Sequence, residues 1–332
     1  MRTAKVAILT EAGKDVGFGH VARCLGLYEA LRAVKAKTSF LVNDNKEVVE
    51  RLADINTLTY SISDGYSVAA SLAKGKDAVI IDSYRIEKKI YSEVAKSIGL
   101  LVSIDDYNRI EYPQGIVVNG SVYAEEIDYP KTMRVEYLLG TTYIPLRKEF
   151  CGIKPKKIKD KIKTVLIIFG GYDPNGMVNK IKELVLSKFT GVKLNLIYGA
   201  PLSKKEKPKD RNGKNKYYFN LEAKKVSELM KEADIAISAG GQTLYELART
   251  GTPAIGICIA DNQLNNLKGW QRYGFLEYCG WYNDPNLFCN LGSALEKLND
   301  SKIREKMGSV GRRLVDGRGA ERVVERILRE IR

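Results

Sequence analysis

The stretch Asp15-Val16-Gly17-Phe18-Gly19-His20 decides how the chain is read. It follows an apolar run of strand length at residues 6–9. It precedes a segment in which Cys24, Leu27, Tyr28 and Leu31 recur at helical spacing. Two glycines therefore bend the backbone where a strand hands over to a helix, and the only histidine of the chain stands at the helix entrance. A strand–loop–helix unit of this kind predicts an α/β domain. The local pattern alone is equally compatible with a glycine-rich connector that happens to carry a histidine.

Outward from this unit the alternation continues. Strands are expected at 39–42, 58–62 (weaker), 78–81, 100–104 and 115–118, with helices at 47–52 and about 86–97. The alternation breaks at 151–163, where Lys154-Pro155-Lys156-Lys157-Ile158-Lys159 reads as a solvated basic linker. It then resumes with strands at 164–169, 192–198, 234–238 and 253–258. The helices of this half are expected near 174–186, 223–230 and 243–250, and the remainder is expected to be mainly helical, ending in an amphipathic segment at 321–331. The expectation is two doubly wound, Rossmann-like α/β domains facing each other across a cleft: 1–150, the linker 151–163, and 164–332.

Composition limits the partners. The chain of 332 residues has 44% hydrophobic residues and no apolar run of the ~20 residues that a bilayer span requires. Its start passes directly into a strand without a signal-peptide core. Five scattered cysteines and one histidine make neither a disulfide framework nor a zinc site, so a reduced, cytoplasmic protein without metal or cofactor is expected. A formal charge of +14 favours anions as partners. Much of the excess lies in short lysine runs, including 204–216, and no nucleic-acid-binding module is present. Nucleic acid is therefore not expected as a partner, weak attraction to an anionic membrane surface is compatible with the charge, and the oligomeric state is open.

Ligands of open α/β sheets bind beyond the carboxyl ends of the strands. That rule gathers Gly17, Gly19, His20, Asp82, Tyr84 and the Asp105-Asp106 pair from the first half. From the second it takes Phe169-Gly170-Gly171-Tyr172-Asp173-Pro174 and Ser238-Ala239-Gly240-Gly241-Gln242-Thr243, followed by Glu246. Residues 17–22 formally fit the dinucleotide fingerprint G-x-G-x-x-G/A, but six residues separate Thr10 from Gly17, too many for the fingerprint's tight turn. The glycines better serve close approach of a ligand to backbone, and an imidazole at a helix N-terminus is favoured in the form that accepts a proton. His20 is thus the candidate general base. The Gly-Gly turns are candidate phosphate cradles, with ordinary tight turns as the alternative. Glu246, three residues after Thr243, is a candidate for ribose hydroxyls, with a solvated helix-surface acid as the alternative. The strand-end aspartates serve equally well as turn formers.

Taken together, Gly17-Phe18-Gly19-His20-Val21-Ala22-Arg23-Cys24, Asp82-Ser83-Tyr84, Ile104-Asp105-Asp106, Leu146-Arg147-Lys148-Glu149-Phe150, the 169–174 turn and the segment from Gly240 to Glu246 resemble the UDP-sugar hydrolases of pseudaminic acid synthesis and the SpsG-type spore coat polysaccharide proteins, within the MurG-like superfamily. The resemblance implies a GT-B fold and metal-free attack of water at the anomeric carbon of a UDP-linked diacetamido sugar. His20 would be the base and Tyr84 a catalytic, sugar-side contact. It further implies substrate or nucleotide contacts by Gly17, Gly19, Arg23, Asp82, Arg147, Gly170, Gly171, Asp173, Ser238, Gly240, Gly241, Gln242, Thr243 and Glu246. Tyr172 departs from the small Ser or Thr usual at its place. A MurG-like glycosyltransferase is the alternative reading, and a basic protein that binds nucleic acid or a membrane surface is the third.

Overall fold

The computed structural model describes residues 2–13, 16–52, 55, 57–61, 74–169, 176–198 and 215–331. The chain forms two compact units: Met1–Lys148 together with Gly317–Arg332, and Glu149–Asp316. The amphipathic C-terminal segment, which the sequence reading assigns to the second half, thus belongs to the first unit.

The first unit runs β1 (Lys5–Thr10), α1 (Gly19–Ala33), β2 (Lys37–Asn43), α2 (Lys46–Arg51), β3 (Thr57–Tyr60), β4 (Ala78–Asp82), α3 (Lys88–Ser97), β5 (Leu100–Ile104), β6 (Gly115–Asn119) and β7 (Val135–Leu139). The strands form one seven-stranded sheet in the order β3-β2-β1-β4-β5-β6-β7, every pair parallel. Strands β4 and β5 are buried along their whole length, as strands covered on both faces must be. The order reverses at β1, so the loops leaving β1 and β4 open side by side. Register aligns their ends, with Thr10 opposite Asp82.

One layer of this core includes Val6, Ile8, Cys24, Leu27, Leu31, Phe40, Ile80 and Val102. Val323, Val324 and Ile327 of the last helix, α10 (Gly319–Glu330), join the same layer. Its strongly one-sided sequence, apolar at 320, 323, 324 and 327, is explained by that packing. Gly319 is required by contact, because a Cβ there would stand 2.2 Å from the Ile144 carbonyl oxygen. Gly26 of α1 similarly lies where a Cβ would stand 2.5 Å from the Leu146 carbonyl oxygen.

The second unit repeats the plan with β8 (Thr164–Ile168), α4 (Met177–Lys188), β9 (Lys193–Tyr198), β10 (Lys216–Phe219), α5 (Ala223–Glu232), β11 (Ile235–Ala239), α6 (Thr243–Thr250), β12 (Ala254–Cys258), α7 (Leu264–Tyr273), β13 (Leu276–Trp281), α8 (Leu287–Lys297) and α9 (Ser301–Leu314). Its parallel six-stranded sheet has the order β10-β9-β8-β11-β12-β13, reversing between β8 and β11. Strands β7, β10 and β13 lie outside the sequence reading, and the last of them interrupts a region expected to be mainly helical.

The basic run at 154–159 is not uniformly solvated. Lys156 turns inward and donates to the Ala233 carbonyl and, at 2.7 Å, to Thr252 Oγ1. Its ammonium is pushed down to about 7, chiefly by burial; Asp234 opposes the shift, and Lys159 and Arg304 reinforce it.

Candidate functional site

The first unit assembles one polar cluster at the reversal of its sheet. An antiparallel bridge between Gly13 and Gly17 narrows the β1–α1 loop, with Gly17 N donating to Gly13 O at 2.7 Å. Gly17 has φ +72°, a backbone state that side chains with a Cβ adopt poorly. Nothing stands within 4 Å of where a Cβ on Gly19 would be, so the backbone is open there. Helix α1 then starts without a side-chain cap, and its first turn carries His20.

His20 is 5% exposed, and its Nδ1 lies 2.6 Å from Oδ1 of the fully buried Asp82 at the end of β4. Burial alone would raise the Asp82 carboxyl, but the charge of Arg23 and then of His20 outweigh it and hold the group below the usual carboxylate range. An ionised Asp82 only accepts hydrogen bonds, so Nδ1 carries the hydrogen and donates it. Arg23 Nη2 also lies 3.1 Å from Nδ1. A guanidinium cannot accept, and this Nδ1 has no lone pair to offer, so that approach is a contact between two donors. The Nε2 lone pair is consequently the one available to a proton, and no described residue partners that atom.

Arg23, one turn along α1, ties the cluster together. Its Nε donates to Asp82 Oδ2 at 2.6 Å and its Nη2 to Asp82 Oδ1 at 2.7 Å. Its Nη1 reaches Asp106 beyond β5, at 2.8 and 3.0 Å from the two carboxylate oxygens. Tyr84 donates its hydroxyl to Asp106 Oδ2. Burial, and next the Asp106 charge, raise the Tyr84 phenol far above its ordinary value, so it stays protonated. The Tyr84 ring stands edge-on to His20, with centroids 4.4 Å apart at 88°. Its backbone amide donates to Glu11 Oε1 at 3.0 Å.

Asp105 has a different task from its neighbour. It accepts from the amides of Asn108 and Arg109 at 2.6 and 3.2 Å, from the Tyr112 hydroxyl at 2.7 Å, and from the Tyr129 hydroxyl. Those four bonds fix the loop that presents Asp106. Among the described residues no group of three His, Cys, Asp or Glu side chains has metal-ligating geometry. Arg147 is partly buried, and its segment packs against Gly26, which stands about 9 Å of helical rise along α1 from His20.

In the second unit, β11 ends in Ala239-Gly240-Gly241 and α6 begins. Gly240 N donates to Gln263 Oε1 at 3.1 Å, and Asn266 Nδ2 donates to Gly240 O at 2.6 Å. Tyr245 in turn donates to Asn266 Oδ1 at 2.6 Å. A Cβ on Gly240 would stand 2.7 Å from Leu267 and 2.8 Å from Gln263, whereas Gly241 faces open space. Gln242 precedes the first helical residue, Thr243, and supplies no side-chain cap, so the first-turn amides of α6 are not capped from that position.

Ser238 is fully buried and donates to the Ala239 carbonyl at 3.0 Å. Glu246 is only 4% exposed, which overturns the alternative of a solvated surface acid. Gly170, Gly171 and Asp173, with Tyr172 and Pro174, lie outside the described residues.

The structure therefore joins Gly17, Gly19, His20, Arg23, Asp82 and Tyr84 within one unit, and places Ser238, Gly240, Gly241, Gln242, Thr243 and Glu246 around one strand end of the other. Gln263 and Asn266 lie outside the sequence reading of the site, and Asp106 enters it without a role of its own. Asp106 was visible as a strand-end acid. Gln263 and Asn266 follow the end of β12, which the same strand-end rule covers.

Comparison with known proteins adds four matches. Residues 164–303 match the glycosyltransferase family 28 C-terminal domain. The Helicobacter pylori protein named pseudaminic acid cytidylyltransferase and UDP-2,4-diacetamido-2,4,6-trideoxy-β-L-altropyranose hydrolase is 27% identical over 275 residues, 82% of this chain and 48% of its own, so the chain spans about half of that relative. The spore coat polysaccharide biosynthesis protein SpsG of Bacillus subtilis is 23% identical over 333 residues, 96% of each chain. Among solved structures, MurG of Acinetobacter baumannii superposes with a TM-score of 0.69 at 16% identity, covering 98% of this chain and 99% of its own. Two parallel-sheet α/β units with that likeness give the chain a GT-B fold.

Proposed function

We propose that this chain, which is similar to a pseudaminic-acid-type UDP-sugar hydrolase and to an SpsG-type protein, hydrolyses a UDP-activated acetamido-deoxy sugar. The observation that carries the reading is the Asp82–His20 pair, which leaves Nε2 as the proton acceptor. A positioned base of this kind suits deprotonation of water.

In the proposed step, His20 Nε2 takes a proton as the water oxygen attacks the anomeric carbon. The bond from that carbon to the diphosphate oxygen breaks, and UDP leaves with the electron pair. Asp82 holds the imidazolium that results. The nucleotide is assigned to the Gly240–Glu246 segment of the second unit, whose open Gly241 and helix-start amides suit anionic oxygen. Tyr84 is assigned to the sugar side, and the enzyme needs no metal or cofactor.

Incubation with UDP-2,4-diacetamido-2,4,6-trideoxy-β-L-altropyranose in ¹⁸O-water, without any acceptor, tests this. Free sugar carrying ¹⁸O and unlabelled UDP are expected. A second reading, transfer to an acceptor, is supported by the family 28 match. Product formed only after an acceptor is supplied would replace hydrolysis by transfer.

A further inference from the structure

Two carboxylates share one guanidinium beside His20. Arg23 meets Asp82 through Nε and Nη2, and Asp106 through Nη1. All three side chains are largely buried, with Asp106 the most open at 17%. The titratable groups in and around the cluster come from every neighbouring element: Arg23 and the Cys24 thiol on α1, Asp82 and Tyr84 at and after the end of β4, Asp106 after β5, Glu11 after β1, whose carboxylate accepts from the Tyr84 amide, and Tyr123 after β6, which feels the Asp106 charge. The Cys24 thiol is buried against Asp82, its Sγ 3.5 Å from Oδ2, and stays protonated, as do the two phenols.

Within the hydrogen-bonded cluster itself, Arg23 contributes one positive charge and the two aspartates one negative charge each. These three side chains sum to one negative charge, which one imidazolium balances. Remove Asp106, and Arg23 with Asp82 becomes a self-contained ion pair, against which an imidazolium would be an extra buried charge.

We propose that Asp106 is a positioning residue for the base: by engaging the Arg23 guanidinium it leaves the Asp82 charge available to the imidazolium that His20 becomes. The inference rests on the reading of His20 as a base. It also explains why Asp105, four times hydrogen-bonded, is spent on fixing the Asp106 loop, and why the Tyr84 hydroxyl is donated to Asp106.

The chain contains a single histidine, so ¹⁵N-edited NMR of the folded protein reads its tautomer and titration midpoint without assignment ambiguity and without substrate. The Nδ1–H tautomer is expected in the parent. Asp106→Asn should move the midpoint down by about one pH unit, the effect of losing one nearby opposite charge. Asp106→Glu should restore it, and Arg23→Gln should move it up. Asp106→Ser serves as a second neutral variant if Asp106→Asn does not fold.

An unmoved midpoint in the neutral variants, or Arg23→Gln and Asp106→Asn moving it in the same direction, overturns the proposal. Where sugar is released, the acid limb of kcat/KM should follow the NMR shift. The two readings then fail separately. Absence of sugar release with the expected NMR shifts removes the hydrolase reading alone, and release with an unmoved midpoint removes the role of Asp106 alone.

Discussion

His20 Nδ1 and Asp82 Oδ1 meet at 2.6 Å across 62 residues of sequence, one on the first turn of a helix and the other at the end of a strand. The neighbouring placement of β1 and β4 brings them together, and the contact decides which ring nitrogen is basic. His20→Ala should therefore lower sugar release by roughly 10²- to 10⁴-fold, the usual contribution of a general base. Asp82→Asn should lower it too, because an amide can present its NH2 to Nδ1 and favour the opposite tautomer. Steady-state assays on variants with parental circular dichroism check both expectations. Full activity in His20→Ala would remove the base from the scheme.

The two glycines after β11 separate packing from binding. Gly240→Ala should destabilise the protein by about 1–3 kcal/mol, because its Cβ must displace Leu267 and Gln263. Gly241→Ala should leave the melting temperature near the parental value, since its Cβ meets nothing. It should nevertheless weaken UDP binding measured by calorimetry, if that open face is where phosphate oxygen approaches.

At the other unit, Gly319→Ala should cost about 1–3 kcal/mol in denaturant unfolding, because backbone atoms of Ile144 occupy the place of the new methyl group. Backbone cannot swing aside as a side chain does. In the second unit, Gly152→Ala, where no atom lies within 4 Å but φ is +63°, should cost about 1–2 kcal/mol from backbone strain alone.

Lys156 gives the second unit a pH dependence of definite sign. Its folded value is held down to about 7, below that of an unfolded lysine, so the unfolded chain binds more protons over the range between them. Stability then rises with pH from about 7 toward 10, and the cost of charging the buried ammonium is complete below 7. A gain on the order of 2 kcal/mol between about pH 6 and 8.5 is expected from this group. Urea unfolding across that range checks it, and Lys156→Met should flatten the slope.

Much of this architecture is legible in the residues. Apolar runs such as Val-Ile-Ile at 79–81 and Val-Leu-Ile-Ile at 165–168 announce central parallel strands, because such strands are buried on both faces. The edge regions are not legible in that way. Strand β10, Lys216–Phe219, is half exposed and emerges from a lysine-rich stretch, and β13 carries Glu277 and Gly280. Neither offers the unbroken apolar signal.

For the site, position was readable but pairing was not. The strand-end rule collected His20, Asp82, Tyr84 and Asp106. That Arg23 would bridge two of them depends on a one-turn offset along α1 and on the loop held by Asp105. Lys156 shows the converse, since a lysine within a basic run carries no mark of which ammonium turns inward.

The closing helix α10 has a consequence for how the molecule is made. The second unit is continuous in sequence and has all of its residues once position 316 has been synthesised. The first unit must wait for residues 317–332, whose Val323, Val324 and Ile327 complete a core begun more than 300 residues earlier at Val6. During vectorial synthesis the downstream unit is thus free to finish first. The half that carries the histidine becomes whole only after residues 317–332 have emerged as well, so the order in which the two cores close is opposite to the order in which their first strands are made.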